Sequence, residues 1–404
     1  MDSKAIIALT EQYGAHNYGP LDVVIASARG AWVQDVEGKR YLDMLSGYSA
    51  LNFGHAHPRL LAVAHQQLET LTMTSRAFYN DQFGPFCKEL AEFCGMEMVL
   101  AMNSGAEAVE TSIKLARRWG YQVKGVPENK AEIICLSGNF HGRTTTIVSF
   151  STEGDSKANF GPFTPGFVIA QFGDLADVER HINANTVAIL FEPIQGEGGV
   201  LIPPDEFIPG LRTLCNKHNV LCIADEIQTG FGRTGARFCC DHYNVVPDLY
   251  ILAKSLGGGI VPISAVVGKR ELLELFTPGS HGSTFGGNPF ACAIAREALR
   301  VLSDEGLIDR SRSAGTLLLS KLTALRAPLI QAIRGKGLFV GLDIDPLYGP
   351  AKKLCKALKA AGLLCKDTRK QTVRLAPPLI IEQQDLEWAI AKIAEVLDSE
   401  TKRH

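Results

Sequence analysis

Short runs of apolar residues alternate with helical patterns through the middle of the chain, and this alternation constrains the fold more than any other feature of the sequence. Six of the runs are continuous, as in strands buried on both faces: MVLAMN, EIICLSG, VAILFEPI, VLCIADE, DLYILAK and ISAVVG. Amphipathic segments such as GAEAVETSIKLARRWGY lie between most of them. The pattern predicts an α/β fold in which helices cover both faces of a mostly parallel sheet. Ligands of such sheets bind at the carboxyl ends of the strands.

The charge balance points to small-molecule chemistry. Lys and Arg number 41 and Asp and Glu number 43, so neither nucleic acid nor an anionic membrane is expected as a partner. The start of the chain, MDSKAIIALTEQYGAHNYGP, has no cationic segment followed by an apolar core. No apolar run approaches the length that spans a membrane. We therefore expect a soluble, cytoplasmic protein.

The ten cysteines are scattered along the chain, and none forms a Cys-x-x-Cys pair. Several lie inside apolar runs, as Cys135 and Cys222 do. We expect most of them to be reduced, buried residues. No metal site is predicted.

The character of the sequence changes near residue 290. Asn288 and Pro289 form a helix start, and a long apolar stripe follows. Beyond it, IRGKGLFVGLDI, TVRLAPPLII and EQQDLEWAIAKIAEVLDSE suggest a smaller α+β unit. We expect a large domain at residues 45–290 and a small domain built from residues 1–44 and 291–404. The N-terminal part includes a hairpin that turns at Glu37 and Gly38.

A lysine ends one of the apolar runs, in DLYILAKSLGGGI. Lys254 could simply mark the end of the strand and reach into solvent. Alternatively, its apolar surroundings lower its pKa, so that the neutral amine can act as a nucleophile that forms a Schiff base.

A helix begins directly after another strand, in MNSGAEAVE. Ser104 and Glu107 have the spacing of a capping box, which is common in proteins without a ligand. The functional alternative is that Gly105 lets a ligand approach, so that the N–H groups of Gly105 and Ala106 hold a phosphate at the positive end of the helix dipole.

Two carboxylates end a third strand, in VLCIADEIQTGFGRTG. Asp225 could cap the next segment or keep a partner protonated, for example a pyridine nitrogen. The spacing to Lys254 is long enough for a crossover to a neighbouring parallel strand, which would place both side chains at one sheet edge.

A phosphate cradle, a carboxylate for a ring nitrogen and an apolar lysine for an aldehyde are together what pyridoxal 5′-phosphate requires. A nicotinamide-dependent dehydrogenase is the alternative from another reaction class. However, no Gly-x-Gly-x-x-Gly follows a strand with an acidic residue about twenty positions later. A third possibility is a regulator that binds the cofactor without catalysis.

Ten motifs in order along nearly the whole chain resemble the class III pyridoxal-phosphate aminotransferases of fold type I. They are HNYGPLDVV, SGYSALNFGHAHP, TSRAFYN, MNSGAEAVETSIKLARRWGY, GNFHGRT, FEPIQGEGGV, IADEIQTGFGRTG, LAKSLGGG, HGSTFGGNP and VRLAPPL. The resemblance implies that Lys254 binds the cofactor and moves protons, and that Asp225 bonds the ring nitrogen. Further residues are implied to contact the cofactor: Gly105, Ala106, Phe140, Gln228, Ser283 and Thr284. Because Ser283 and Thr284 are implied to reach the phosphate of the other subunit, the resemblance also implies a homodimer with its active site at the subunit interface.

The resemblance also implies a set of substrate-binding residues: Tyr18, Tyr48, Arg143, Glu197 and Arg374. Glu197 would mask Arg374 while L-ornithine binds, and 2-oxoglutarate or glutamate would displace it. Transfer of the terminal amino group of L-ornithine is therefore expected. An acetylornithine, 4-aminobutyrate or lysine ω-aminotransferase is the alternative within the family. His141 stands where some members have Trp, and we expect this position not to carry the chemistry.

Overall fold

The computed structural model describes residues 1–403 of the chain. Three short turns of other helical types lie at Gly120–Lys124 (π), Cys239–Tyr243 and Lys254–Gly257 (both 3₁₀). Fourteen α-helices lie within the described range: α1 (Ser3–Tyr13), α2 (Ser46–Ser49), α3 (Pro58–Thr70), α4 (Phe83–Cys94), α5 (Gly105–Trp119), α6 (Thr145–Ser149), α7 (Gly154–Lys157), α8 (Leu175–His181), α9 (Phe207–His218), α10 (Arg270–Leu273), α11 (Pro289–Asp304), α12 (Leu307–Ala324), α13 (Ala351–Ala360) and α14 (Gln383–Lys402).

The strands form three sheets. They are β1 (Ile25–Arg29), β2 (Trp32–Asp35), β3 (Arg40–Asp43), β4 (Met98–Met102), β5 (Glu132–Leu136), β6 (Phe167–Ala170), β7 (Thr186–Phe191), β8 (Leu221–Asp225), β9 (Leu249–Leu252), β10 (Ser264–Gly268), β11 (Ile330–Lys336), β12 (Phe339–Ile344), β13 (Leu363–Leu364), β14 (Lys366–Thr368) and β15 (Thr372–Leu375).

The largest sheet has seven strands in the order β4-β10-β9-β8-β7-β5-β6. Only β10 runs against its neighbours, since it pairs antiparallel with both β4 and β9, while β9, β8, β7, β5 and β6 pair in parallel. Every residue of β7, β8 and β9 is buried, because helices cover both faces and leave no polar face to solvate. The predicted α/β fold with a mostly parallel sheet is confirmed.

The parallel arrangement brings distant parts of the chain to one edge. Asp225 ends β8, and Lys254 lies two residues after the end of β9, which pairs with β8. Glu192 follows β7 directly. Gly105 begins α5 shortly after β4, so a capped helix terminus faces the same edge as these side chains.

Two smaller four-stranded sheets complete the fold. In one, the predicted hairpin pairs β2 with β3, and β3 also pairs in parallel with β13 from the C-terminal region. The other has the order β11-β12-β15-β14 and carries Arg374 on β15. The β3–β13 pairing supports grouping the N-terminal residues with the C-terminal unit. The boundaries at residues 45 and 290 stay a prediction.

All ten cysteines are free thiols, and all except the partly exposed Cys87 are buried. None of the helices within residues 1–403 combines the length and apolar character needed to cross a membrane. In the same range, no cluster of three or more His, Cys, Asp or Glu side chains could hold a metal ion.

Candidate active site

A cavity of about 490 Å³ opens at the carboxyl edge of the large sheet. Most of the predicted cofactor-binding and catalytic residues line it: Gly105, Ala106, Phe140, Asp225, Gln228 and Lys254. The cavity therefore brings together side chains that lie up to about 150 residues apart in the sequence, as expected of a ligand site on a parallel sheet.

Lys254 begins a 3₁₀ turn with a backbone φ of 47°, in the left-handed region that non-glycine residues rarely occupy. This conformation points to strain held in place by the surrounding core, which is common at functional sites. Burial lowers the pKa of the Lys254 amine to about 8, although the nearby Glu197 carboxylate opposes the shift. A substantial fraction of this amine is thus neutral near physiological pH.

Asp225 is 4% exposed and makes two hydrogen bonds. One oxygen accepts from the backbone N–H of Ile227 at 3.0 Å, and the other lies 2.7 Å from Nδ1 of His141. Burial alone would lower the pKa of His141, but the Asp225 carboxylate outweighs burial and raises it above its usual range. The same bond fixes the orientation of the Asp225 carboxylate at the cavity. Position 141 was not expected to carry the chemistry, but its side chain contacts Asp225 directly.

Glu192 lines the same cavity and is 5% exposed. Its Oε2 accepts a hydrogen bond from the backbone N–H of Phe140 at 2.9 Å, which fixes the segment that carries the Phe140 ring. Burial raises the pKa of Glu192 to about 8. The sequence analysis did not single out this residue, although a charge that directly follows a continuous apolar strand is the signal that identified Asp225.

The predicted capping box is present at the start of α5. Ser104 accepts from the N–H of Glu107 at 3.2 Å, and Glu107 accepts from the N–H of Ser104 at 2.7 Å and of Asn103 at 3.0 Å. A Cβ on Gly105 would lie 2.9 Å from Cδ1 of Ile227, so a larger residue here would displace the end of that side chain. The first N–H groups of the helix remain available at the cavity, as an anion requires.

At the far end of the site, Arg374 is 1% exposed and donates from Nη1 to Glu197 at 2.7 Å and to Gln228 at 3.3 Å. Burial alone would raise the pKa of Glu197, but the Arg374 guanidinium holds that pKa below its usual range. Among the described residues, Nε and Nη2 of Arg374 are buried without a partner. Two unpaired donors in one fork match the geometry of a carboxylate ligand.

Tyr48 packs against this arginine, with the guanidinium 4.8 Å from its ring centre. It belongs to α2, where Ser46, Gly47, Tyr48 and Ser49 all have φ between 52° and 72°, so the turn is left-handed. Burial raises the pKa of the Tyr48 phenol. Tyr18 lies with Tyr48 on a second, more apolar cavity of about 500 Å³ and is 73% exposed.

Seven predicted residues do not line the cavity of about 490 Å³: Tyr18, Tyr48, Arg143, Glu197, Ser283, Thr284 and Arg374. Glu197, Arg374, Tyr48 and Tyr18 form the arrangement described above, whereas the other three lie apart from it. Arg143 is exposed, with its guanidinium 5.5 Å from the centre of the Phe140 ring. Ser283 accepts a hydrogen bond from Nδ2 of Asn103 at 2.7 Å but faces a different cavity. Thr284 is exposed. A single chain therefore leaves the loop at residues 283–284 outside its own site.

The residues present fit pyridoxal 5′-phosphate. The helix start at Gly105 suits its phosphate, the buried Asp225 suits its ring nitrogen, and the partly neutral Lys254 suits its aldehyde. Phe140 and the aliphatic side chains of the cavity suit the faces of an aromatic ring.

Comparisons with known proteins agree with this geometry. The model of the family "Aminotransferase class-III" matches residues 13–397. An ornithine aminotransferase from Brevibacillus brevis is 54% identical over 98% of both chains. The crystal structure of the ornithine aminotransferase from Toxoplasma gondii ME49 superimposes with a TM-score of 0.99 at 42% identity, covering 100% of this chain and 97% of that one. An acetylornithine aminotransferase from Elizabethkingia anophelis reaches 0.91 at 47% identity, covering 98% and 99%. The chain belongs to the class III aminotransferases, which depend on pyridoxal 5′-phosphate.

Proposed function

We propose that this chain is an ornithine δ-aminotransferase. In a ping-pong reaction it transfers the terminal amino group of L-ornithine to 2-oxoglutarate and releases glutamate 5-semialdehyde, which cyclises to pyrroline-5-carboxylate, and glutamate. Arg374 carries the proposal: one nitrogen pairs with Glu197 while two buried donors have no partner among the described residues. Relatives that are 52–54% identical and carry the name ornithine aminotransferase support it.

Ornithine and glutamate present different ends to the site. An arginine whose charge can be neutralised by Glu197 therefore suits this reaction. Ornithine must present its terminal amine to the cofactor, whereas glutamate presents an α-amine next to a carboxylate. With Glu197 on Arg374, the positive charge is neutralised and the terminal methylenes of ornithine can lie there. When glutamate or 2-oxoglutarate enters, its carboxylate displaces Glu197 and takes the fork of Arg374.

Tyr48 and Tyr18 would hold the α-end of ornithine, because their phenols lie on one cavity next to Arg374. Arg143 would bind the distal carboxylate of 2-oxoglutarate from beside Phe140. Its exposure in the single chain means that this end of the site is open to solvent.

Bound pyridoxal 5′-phosphate supplies an aldehyde and an electron-withdrawing ring that accepts the electron pair of the carbon that loses its proton. Lys254 would hold the aldehyde, and its neutral amine would remove and return the substrate proton. Asp225, oriented by its bond with His141, would hold a proton on the ring nitrogen. Gln228 would bond the phenolic oxygen, and Phe140, anchored by Glu192, would cover one ring face.

Gly105 and Ala106 would bind the phosphate, together with Ser283 and Thr284 of the partner subunit in a homodimer. Exposed aromatic side chains support the dimer: Phe285, next to that loop, is 59% exposed, and Phe78 and Tyr79 are 73% and 98% exposed. Such side chains are enriched in subunit interfaces. The balanced charge of the chain and the absence of a spanning helix among the described residues fit a cytoplasmic location.

The experiment that tests this function is a half-reaction without keto acid. L-Ornithine is added to the cofactor-loaded protein while the visible absorption band of the bound cofactor is followed, with N-acetylornithine in a parallel sample. We expect ornithine to bleach the band and 2-oxoglutarate to restore it. Bleaching by N-acetylornithine instead would assign the chain to the acetylornithine enzymes, and an absent band after adding cofactor would contradict the cofactor assignment.

A further inference from the structure

Arg233, in the motif GFGRTG, is the largest side chain with no exposure to solvent. Its charge is buried without a carboxylate partner within ion-pair distance among the described residues, and burial lowers the pKa of its guanidinium to about 9. Burying an arginine in this way is costly. A chain that only needed to fill this space could do so with an apolar side chain at a lower cost.

The guanidinium reaches three different segments of the chain. Nη1 donates to the backbone carbonyl of Leu338 at 3.0 Å and of Pro377 at 2.5 Å. Nη2 donates to Oδ1 of Asn52 at 2.5 Å. Asn52 is itself fully buried, and its Nδ2 donates to the carbonyl of Phe231 at 3.0 Å.

Backbone bonds reinforce the same junction. The carbonyl of Arg233 accepts from the N–H of Leu338 at 3.1 Å and from the hydroxyl of Ser311 at 3.1 Å. The carbonyl of Asn52 accepts from the N–H of Leu379 at 2.8 Å. We refer to Arg233, Asn52 and their bonded carbonyls as the Arg233 clamp.

Two of the segments bonded by the guanidinium, those of Pro377 and Asn52, carry a residue of the substrate end of the site, and so does the loop of Arg233 itself. Pro377 follows β15, which carries Arg374, and Asn52 follows the left-handed turn that carries Tyr48. Arg233 lies on the loop that begins with Gln228, which bonds both Arg374 and Glu197. Fixing these three segments to one planar group therefore fixes Arg374, Tyr48 and Gln228 relative to one another.

We propose that Arg233 is a positioning residue that holds the carboxylate-binding end of the site in register, through its bonds to Asn52, Leu338 and Pro377. This inference rests on the proposed function, because it concerns the site that would bind 2-oxoglutarate. Arg233 lies outside the set of residues that would touch substrate or cofactor. A lysine could keep the charge, but its single nitrogen cannot reproduce a fork that bonds three acceptors.

The test uses the cofactor-loaded enzyme and the variants Arg233→Lys and Arg233→Met. We expect the KM for 2-oxoglutarate to rise about tenfold or more, since small misplacements of a binding group are costly, while the visible band of the cofactor is unchanged. The stabilisation of the protein by glutarate, a dicarboxylate that cannot react, is measured as a shift in melting temperature. That shift should shrink in both variants, and less for Lys than for Met.

Arg237→Met is the matched control. Arg237 lies on the same loop but bonds Asp241 and the carbonyl of Phe93, away from the three segments. A merely structural role of Arg233 predicts a lower melting temperature with the wild-type KM, and this result in a folded Arg233→Lys enzyme would overturn the proposal. If neither Arg233 variant folds, Asn52→Ala removes one arm of the clamp, and an unchanged KM there would also overturn it. A wild-type enzyme that neither turns over 2-oxoglutarate nor binds glutarate would instead contradict the proposed function.

Discussion

At the scale of single residues, the site works by placing charges where water is largely excluded. Lys254, Glu192 and His141 each have a shifted pKa, and in all three cases burial is the first cause, with neighbouring charges adding to it or opposing it. The shifts differ in sign because burial disfavours whichever form is charged, whereas an ion pair favours it. The same cavity thus contains a lysine with a lowered pKa and a histidine with a raised pKa.

The lowered pKa of Lys254 gives a testable pH dependence. Only the neutral amine attacks an aldehyde, so the rate at which the cofactor-free protein captures pyridoxal 5′-phosphate should rise with pH and level off above about 8. Stopped-flow growth of the visible band measures this rate. An ordinary lysine would give a rate that still rises near pH 10, and that outcome would show that burial does not shift this amine.

His141 should matter through Asp225. Removing the buried donor with His141→Phe leaves the carboxylate with one hydrogen bond, at a cost of about 1.5–3 kcal/mol for a bond to a charged group. We expect kcat of the half-reaction to fall about 10-fold to 100-fold, with a smaller loss in His141→Asn, which keeps an N–H donor. Equal kcat values in the wild type and both variants would show that the bond between His141 and Asp225 does not contribute to the half-reaction.

The sequence predicted Lys254 and Asp225 because each ends a continuous apolar strand, a signal that needs no knowledge of contacts. It could not place His141 against Asp225, since their bond joins positions 84 residues apart, and only the folded loops determine it. The roles of Arg143, Ser283 and Thr284 came from family resemblance alone. They stay predictions, as do the roles of the other site residues, and in the single chain these three lie outside the cavity.

At the scale of helices and strands, the apolar runs predicted six of the seven strands in the large sheet. The exception is β6, an edge strand in which three of four residues are partly exposed. Its apolar run, FVIA, is only four residues long, and a run this short is a weak signal. The helix start at Ser104 and the start of α11 at Asn288 were predicted correctly, because both depend on local capping bonds.

The capping box of α5 should affect stability and cofactor affinity together. Ser104→Ala removes one capping bond and should lower the free energy of unfolding by about 1 kcal/mol. It should also weaken pyridoxal 5′-phosphate binding, since the same residues shape the helix start at the cavity. Denaturant melts and a cofactor titration measure the two effects.

Asp174→Ala is the control for that prediction. Asp174 caps α8 by accepting from the N–H of Asp177 at 2.9 Å, and it does not line the cavity. This variant should lose similar stability without any change in cofactor affinity. If Ser104→Ala likewise leaves the affinity unchanged, the start of α5 does not contribute to the phosphate site.

At the scale of the whole molecule, different parts of the fold supply the two ends of the site. The large sheet supplies the cofactor end of the site, while β15 and the turn at Ser46–Ser49 supply Arg374 and Tyr48. The Arg233 clamp joins these parts at fully buried positions. Sequence patterns predicted the parallel sheet, but the junction depends on bonds between residues more than a hundred positions apart, which no local pattern encodes.

If the chain forms the proposed homodimer, we expect the exposed Phe285 to lie in the subunit interface. Phe285→Asp should shift the protein toward monomers in sedimentation experiments and weaken cofactor retention, because the loop of the partner subunit would be lost. Leu347→Asp is the control, since Leu347 is 91% exposed and lies far along the chain from the residues around Thr284. A dimer that tolerates Phe285→Asp with full cofactor retention would contradict this interface.

The most direct test of the central claim compares glutamate and ornithine in Glu197→Ala. Glu197 lies 2.7 Å from Nη1 of Arg374, so its removal leaves the arginine permanently available to a carboxylate. In single-turnover half-reactions, the account predicts that the rate ratio of glutamate to ornithine rises about tenfold or more, as the loss of one charge-assisted bond allows. Glu153→Ala, which breaks the pair with Arg369, should leave the ratio unchanged. A ratio in Glu197→Ala equal to that of the wild type would contradict the account.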